Sequence, residues 1–272
     1  MFGLGGEGRQ VSDQMGAPLT RREERLVRSL AVRKHREAEG LFLVEGVRAV
    51  EDLLASPLPV RMVVASSSLE DTPRGAALRR SVEERGLPLR ETGERELRDL
   101  AGTEQPQGVL AVAAIPRATL AGLKVDAEPA VLLVLDAVQD PGNFGTLVRT
   151  AEALGAAGVL ALPGTVDPWN PKAVRAAMGS SFRLPVVPAT WDEAAPWLAE
   201  RAVAVVAAVV GAAPLPVPPP RRAALVLGNE GAGVGAETLA RADLRAGVPL
   251  RGRTESLNVA AAGAILLHEL LR

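Results

Sequence analysis

The stretch LVLGNEGAGVG, residues 225–235, places an apolar run directly before a glycine-rich turn. The residues that follow, around Glu237, have helical spacing, so the stretch predicts a strand, a turn and a helix in succession. Glycine lets backbone groups approach a ligand closely, and Asn229 and Glu230 are the only polar side chains at the end of the strand. Ligands bind at this end of the strands in open α/β sheets. The stretch is therefore a candidate binding site, and the alternative is a tight structural turn with an exposed acid.

The spacing of these glycines argues against two common kinds of nucleotide site. They match neither the phosphate-loop pattern nor the dinucleotide fingerprint, and no Gly-Lys-Ser/Thr follows them. An enzyme that acts on a nucleotide cofactor through this turn is therefore a disfavoured alternative.

Two further segments have polar residues where a turn leads into a helix. In LDAVQDPGNFGTLVRTAEALG, residues 135–155, Asn143 is placed to cap a helix. Arg149 lies roughly 140° from the centre of the apolar stripe of that helix, so it is free to face a site or a partner. In VPLRGRTESLNVAAAGAILLHEL, residues 248–270, the small and apolar composition predicts a buried helix. Ser256 is adequately explained as the N-cap of this helix.

The remaining apolar runs predict an α/β architecture in two domains. After residue 130, short strands are expected at 131–135, 159–162, 203–210, 224–227 and 246–248, with helices around Lys172, Trp191 and Glu237. The continuous apolar run at 131–135 is typical of a strand covered on both faces. Before residue 130, a capping-box pattern at Thr20 and Glu23 predicts a basic helix over residues 21–36, followed by strands at 41–44, 60–65 and 109–115 and helices at 47–54 and 74–85. The domain boundaries that we predict are a disordered leader at 1–18, a small α/β domain at 19–115, a linker at 116–129 and a second α/β domain at 130–272.

Composition excludes several classes of function. The 272 residues contain no cysteine and two histidines, which leaves no basis for a thiolate metal site or a serine-histidine-acid triad, and we expect no metal. The apolar runs have the length of strands rather than of membrane helices, so no membrane contact is expected. The net charge of −1 does not indicate nucleic-acid binding, but residues 21–36 carry seven basic side chains against two acidic ones. This cluster is either an RNA contact or a solvated helix face.

Taken together and in this order, the three turn segments resemble the sequence motifs of the SpoU-like (TrmH-like) family of S-adenosylmethionine-dependent RNA 2′-O-ribose methyltransferases. VDPWNPKAVRAAMGSSFRLPV, residues 166–186, looks like the connecting stretch of the family, so the resemblance covers essentially all of residues 130–272. RKHREAEGLFLVEGVRAVEDLL and QPQGVLAVA, which begin at Arg33 and Gln105, are similar to the substrate-binding domain of rRNA-directed members. Three mild departures, at Ala177, Leu250 and Gly263, put only the subfamily in doubt.

This resemblance implies a mostly parallel second domain with a deep trefoil knot, and it implies the residues of the site. The implied catalytic residues are Asn143, Arg149, Glu230, Ser256 and Asn258. The residues implied to bind S-adenosylmethionine are Leu227, Gly228, Asn229, Glu230, Val248, Pro249, Leu250, Ser256, Leu257 and Asn258. The RNA-binding residues that we expect are Arg21, Arg22, Arg33, Lys34, Arg36, Lys172 and Arg175.

The expected reaction is methyl transfer to a ribose 2′-hydroxyl in structured RNA. A guanidinium normally stays protonated, so Arg149 is expected to bind phosphate and stabilise developing alkoxide charge rather than act as a base. The separate amino-terminal domain favours rRNA, or a ribosomal precursor particle, over tRNA. A catalytically silent RNA-binding protein is the alternative from another class. The resemblance also implies a homodimer through the knotted domain, and we expect a cytoplasmic location.

Overall fold

The structure, a computed structural model, describes residues 16–103 and 105–272. The described residues form two compact units that join in the sequence between Pro116 and Arg117. In the first unit the helices are α1 Arg21–Ser29, α2 Arg33–Glu39, α3 Val47–Leu54, α4 Pro73–Glu84 and α5 Glu94–Leu100. The strands there are β1 Ala17–Pro18, β2 Leu41–Glu45, β3 Val60–Ala65, β4 Leu89–Glu91 and β5 Val109–Ala114.

The first unit is built on a mixed five-stranded sheet in the order β1-β4-β3-β5-β2. Strands β1, β4 and β3 are parallel to each other, and β5 runs antiparallel to both β3 and β2. Val27 and Leu30 from the α1 region and Leu97 from α5 pack on one face of this sheet, in an apolar cluster with Met62 and Val64 of β3. The predicted α/β domain is therefore present, although β4 and α5 were not predicted.

The predicted basic helix over residues 21–36 is two helices. The capping box is present, since Glu23 N donates to Thr20 Oγ1 at 3.3 Å and Thr20 N donates to Glu23 Oε2 at 3.0 Å. Helix α1 ends near Leu30, whose carbonyl oxygen accepts a hydrogen bond from Arg36 Nη1 at 2.6 Å. Arg36 is only 2% exposed. The break follows because this buried guanidinium bonds a carbonyl that α1 leaves unsatisfied.

The predicted disordered leader needs a correction at its end. Residues 1–15 lie outside the described part of the chain. Ala17–Pro18, however, form β1 and pair in parallel with Arg90 and Glu91. The prediction is therefore wrong for these two residues, which extend the first sheet.

In the second unit, all six strands are parallel. The strands are β6 Ala130–Asp136, β7 Gly158–Ala161, β8 Val186–Pro188, β9 Ala204–Ala208, β10 Arg222–Gly228 and β11 Leu244–Ala246. The helices are α6 Pro141–Ala153, α7 Pro171–Ala177, α8 Trp191–Glu200, α9 Ala236–Arg241 and α10 Val259–Leu271. The sheet order is β11-β9-β10-β6-β7-β8, which confirms the predicted mostly parallel α/β domain.

Two apolar layers cover this sheet, one on each face. Along β6, Val131 and Leu133 belong to one core, whereas Leu132 and Val134 belong to the other. Alternate side chains of a strand point to opposite faces, so a strand covered on both sides is apolar throughout, as the sequence predicted. Gly263 of α10 packs so closely that an added Cβ would lie 2.5 Å from a Leu147 methyl of α6, which accounts for glycine at that position.

The caps of two site helices differ from the prediction. Asp140, not Asn143, caps α6, and its Oδ1 accepts from Asn143 N at 2.7 Å. Asn258, not Ser256, caps α10, and its Oδ1 accepts from Ala260 N at 2.8 Å. Proline follows Asp140 at the first helical position, a pattern that favours Asp140 as the cap.

The predicted linker at 116–129 is also corrected. Leu123 and Val125 are buried in the second unit and pack with residues of β6 and α8. Residues 117–129 therefore belong to the second unit, and two of their side chains contribute to its core. Across the described ranges of both units, no helix combines the length and hydrophobicity needed to cross a membrane.

Candidate active site

A cavity of about 480 Å³ opens at the carboxyl edge of the second sheet. The neighbouring strands β10, β9 and β11 end side by side there. Val226 of β10 is in register with Ala207 of β9, and Ala208 of β9 is in register with Ala246 of β11. The lining residues are Ala208, Val209, Val210, Gly211, Leu227, Gly228, Asn229, Glu230, Gly231, Ala232, Gly233, Val234, Leu239, Ala246, Gly247, Val248, Leu250, Ser256, Leu257, Val259, Ala262 and Leu266. The volume and the apolar lining with a few polar groups are typical of small-molecule sites.

The glycine-rich turn after β10 is held by Asn229. Its Oδ1 accepts from Gly231 N and Ala232 N, each at 3.0 Å, and its Nδ2 donates to Ala137 O at 3.0 Å. The backbone of Asn229 also pairs with that of Gly233 in both directions at 2.9 Å. The Asn229 side chain therefore shapes the turn and leaves backbone groups to face the cavity.

A chain of hydrogen-bonded side chains joins the three motif segments. Asn143 Nδ2 donates to Glu230 Oε1 at 3.1 Å, and Asn258 Nδ2 donates to Asn143 Oδ1 at 3.0 Å. The backbone amides of Asp140 and Gln139 donate to Glu230 Oε1 and Oε2 at 3.0 and 3.1 Å. The structure thus brings together three of the five residues predicted to be catalytic, and Ser256 lies on the cavity wall nearby in sequence.

The environment of Glu230 keeps its carboxylate ionised. Partial burial raises the pKa of Glu230, but the hydrogen bonds from Asn143 and from the backbone amides outweigh it, so the net pKa lies below the ordinary 4.5. A carboxylate with a lowered pKa and several donors is a weak proton acceptor at neutral pH. Glu230 is therefore suited to fix Asn143 and the 139–140 backbone rather than to remove a proton.

This lowered pKa predicts how pH affects the site. The stabilisation from ionised Glu230 is present above its unfolded-state pKa and is lost as pH falls through the lower folded-state pKa. Between pH 6 and 9, wild type and Glu230→Gln should therefore have pH-rate profiles of the same shape, even if the variant is slower. The measurement is turnover across that range. An ionisation near neutrality that disappears in Glu230→Gln would contradict this role.

Arg149 stands apart from the hydrogen-bonded chain. Its Nη1 donates to the sulfur of Met178 at 2.9 Å, and its side chain lines a second, separate cavity with Thr146 and His268, between α6 and α10. Arg149 is exposed, as its predicted angle to the apolar stripe of α6 implied. Within one copy of the chain, it does not join Asn143, Glu230 and Asn258.

Most residues predicted to hold the cofactor line the main cavity, although two do not. Those on the lining are Leu227, Gly228, Asn229, Glu230, Val248, Leu250, Ser256 and Leu257, whereas Pro249 and Asn258 are not on it. Residues 208–211 and Gly247 also line the cavity but were not predicted from the sequence. The carboxyl end of β9 was visible as an apolar run, but sequence alone does not show that β9 lies between β10 and β11.

The predicted RNA-binding residues differ in how exposed their side chains are. Arg21, Arg22, Lys34 and Lys172 are exposed, and Arg175 is partly buried. Arg33 is exposed and pairs with Glu37 at 2.7 Å. Arg36 is buried against the end of α1 and cannot reach RNA in this structure, so the prediction for Arg36 is wrong.

The fold and the cavity define a class of α/β enzyme that binds a small molecule at the carboxyl edge of a parallel sheet. Within residues 16–103 and 105–272, no group of acidic or histidine side chains could hold a metal ion. The cavity has mostly apolar walls, and a glycine-rich turn exposes backbone groups to it, so it suits a small organic ligand that is part apolar and part polar.

Comparison with known proteins assigns the family. The sequence model of the SpoU rRNA Methylase family matches residues 130–268, and that of the MRM3-like substrate binding domain matches residues 25–111. The chain belongs to the SpoU rRNA methylase family. It is a methyltransferase, and the match to the family lies within its second unit.

Individual relatives match nearly the whole chain. The 23S rRNA (guanosine(2553)-2′-O)-methyltransferase RlmP of Bacillus subtilis is 37% identical over 245 residues, covering 89% of this chain and 93% of that protein. The 23S rRNA (uridine(2479)-2′-O)-methyltransferase of Streptomyces viridochromogenes is 30% identical and covers 89% of this chain and 86% of its own length. The crystal structure of an AdoMet-bound rRNA methyltransferase from Sinorhizobium meliloti superposes with a TM-score of 0.81 at 30% identity, covering 93% of this chain and 95% of that one.

Proposed function

We propose that this protein transfers a methyl group from S-adenosylmethionine to a ribose 2′-hydroxyl of rRNA. The observation that carries the proposal is the hydrogen-bonded chain Glu230–Asn143–Asn258, which joins the three family motifs beside the cavity. Both relatives described above are named as 2′-O-methyltransferases of 23S rRNA. The match of residues 25–111 to a substrate-binding domain supports rRNA over tRNA.

Some residues of the site bind the cofactor, and others position the ribose. When bound, S-adenosylmethionine supplies a methyl group on a sulfonium, which makes that methyl electrophilic. The turn at Gly228–Val234 and the segment from Gly247 to Leu250 hold the cofactor. Asn143 and Asn258, fixed by Glu230, would position the ribose hydroxyl beside the methyl donor, and Ser256 shapes the pocket. Arg149 binds the phosphate beside that ribose and stabilises the negative charge that develops on the hydroxyl oxygen as its proton passes to bulk water and the oxygen accepts the methyl group.

The position of Arg149 supports a homodimer formed through the second unit. The guanidinium lies outside the hydrogen-bonded chain of its own copy. Met178, the C-cap of α7 that accepts a hydrogen bond from Arg149, and Ile265 of α10 are large apolar side chains that are 40% and 39% exposed. We propose that a second copy covers them and that Arg149 of one protomer serves the site of its partner. The carboxy-terminal trefoil knot is part of the same proposal and follows from the family resemblance. We also propose a cytoplasmic location, because the sequence contains no cysteine.

Transfer of labelled methyl to purified RNA tests the proposal. Wild-type protein is incubated with labelled S-adenosylmethionine and either unmodified 23S rRNA or unmodified bulk tRNA. We expect incorporation into rRNA that saturates with the cofactor, and little into tRNA. Incorporation into tRNA alone would contradict the substrate assignment, and cofactor binding without transfer to naked rRNA or to ribosomal precursor particles would support the silent RNA-binding alternative.

The basic surface of the first unit gives a second prediction. Reversing Arg21, Arg22 and Lys34 to glutamate should weaken rRNA binding by about tenfold or more, because each lost phosphate contact removes a counterion-release contribution. Cofactor affinity should not change. The measurement is RNA affinity at several salt concentrations, with the reversal of Arg61, Arg80 and Arg95, three exposed arginines elsewhere in the unit, as the control. Equal RNA affinity in the two variants would contradict the assignment.

A further inference from the structure

A short exposed segment forms part of the rim of the cofactor cavity. Leu250 lines the cavity, and so do Ser256 and Leu257. The five residues between them, 251–255, do not line it, and all five are exposed. Since both ends of the segment are fixed at the cavity wall, whatever its side chains bind is held beside the cavity mouth.

The segment carries two arginines without a partner in the structure. Among the described residues, neither Arg251 nor Arg253 makes an ion pair or hydrogen bond through its guanidinium. Three other arginines of the second unit do have ion-pair partners: Arg183 with Glu152 at 2.9 Å, Arg222 with Glu128 at 3.2 Å and Arg241 with Asp192 at 3.3 Å. The acidic residue of the segment, Glu255, is also unpaired, so the segment presents a net positive charge to solvent.

The carboxylate on the cavity lining does not pair with these two arginines. Glu230 is the acidic residue on the cavity lining, and its two oxygens already accept from Asn143, Gln139 and Asp140. A guanidinium presents paired donors that match the oxygens of a phosphodiester. Two arginines without ion-pair partners at this rim therefore suit the anionic phosphodiester backbone of a nucleic acid rather than the cofactor.

We propose that Arg251 and Arg253 bind the phosphodiester groups of the RNA next to the target ribose. This inference rests on the proposed function and adds the residues that position the substrate over the cavity. Two residues apart in the chain, their Cα atoms are at most ~7 Å from each other, so both can hold one phosphate or two successive ones. Fixing the backbone on both sides of the ribose limits the positions of its 2′-hydroxyl relative to the methyl donor.

The test is the double variant Arg251→Ala/Arg253→Ala in the full-length protein. Affinity for unmodified 23S rRNA should fall about tenfold, and the dependence of log affinity on log salt should become shallower by about 1.5, as expected for two lost phosphate contacts. The kcat/KM for methyl transfer should fall at least as much. The affinity for S-adenosylmethionine should stay within about twofold, since neither side chain lines the cavity. Arg251→Lys/Arg253→Lys, which keeps the charge, should retain most of the salt dependence.

The matched control is Lys124→Ala/Arg221→Ala, which also removes two exposed positive charges from the second unit but at the amino-terminal end of its strands. This variant should resemble wild type in RNA affinity and salt dependence. Equal loss in both double variants, or wild-type affinity and salt slope in Arg251→Ala/Arg253→Ala, would overturn the inference. Absence of methyl transfer by wild-type protein would count against the proposed function instead, because the binding comparison does not depend on transfer.

Discussion

Replacing Gly228 by alanine should weaken S-adenosylmethionine binding by about 100-fold. An added Cβ at this position would lie 2.2 Å from the carbonyl carbon and oxygen of Gly233 and 2.3 Å from Val234 N. These are backbone atoms of the turn that faces the cavity, so the turn itself must either be strained or move. Overpacking of this kind costs ~1–3 kcal/mol of folding stability if the turn stays in place. If the turn moves instead, it loses its cofactor contacts, and a loss of nearly 3 kcal/mol of binding free energy corresponds to about 100-fold in affinity. The measurement is calorimetric titration with the cofactor, with the melting temperature measured in parallel.

Gly231→Ala is the matched control for this change. The nearest atom to its added Cβ is Asn229 Oδ1, at 3.7 Å, which is an ordinary contact. Both variants change one glycine of the same turn to alanine, but only the first forces the backbone apart. Near wild-type cofactor affinity in Gly228→Ala, or equal loss in both variants, would show that the turn does not hold the cofactor.

Replacing Arg149 by alanine should lower turnover by about 100-fold or more while cofactor binding survives, because the lost guanidinium stabilises charge that develops only during transfer. Arg149→Lys should recover part of the rate, since it keeps the charge but loses the planar fork. The measurement is single-turnover methyl transfer at saturating cofactor and rRNA. Wild-type turnover in Arg149→Ala would remove this residue from the mechanism.

A mixed dimer decides which subunit supplies Arg149. If Arg149 acts across the interface, a dimer of one Arg149→Ala and one Gly228→Ala chain has one complete site, in which the Arg149→Ala subunit binds cofactor and its partner supplies the arginine. Equal mixing of the two inactive variants should then restore about a quarter of wild-type activity, as expected for random pairing in a symmetric dimer. No recovery, in mixtures shown to exchange subunits, would place Arg149 in the site of its own chain.

The parts of this structure that sequence predicts well are those fixed by local pattern. The apolar runs at β6 and β10 predicted strands, that at β6 covered on both faces, and the side chains of β6 alternate between two cores as that coverage requires. The capping box at Thr20 and Glu23 was likewise visible, because it depends on residues three positions apart. In these cases the physical determinant lies within a few residues of the element.

The parts that sequence missed depend on contacts between distant segments. Asn143 looks like a helix cap, yet it bonds Glu230 and Asn258, which lie 87 and 115 residues away. Arg36 belongs to a basic run, yet it is buried because the chain turns after Leu30 and leaves a carbonyl for it to bind. The contribution of 208–211 to the cavity depends on the order of strands in the sheet, which short-range pattern does not contain.

The measurement that tests the account most directly is the location of the transferred methyl group. Unmodified 23S rRNA, labelled by wild-type protein, is hydrolysed with alkali, which cleaves beside free 2′-hydroxyls but not beside methylated ones. We expect the label in a single alkali-resistant dinucleotide, and its loss with Arg149→Ala. Label on a base, or label released entirely as mononucleotides, would contradict methyl transfer to a ribose 2′-hydroxyl.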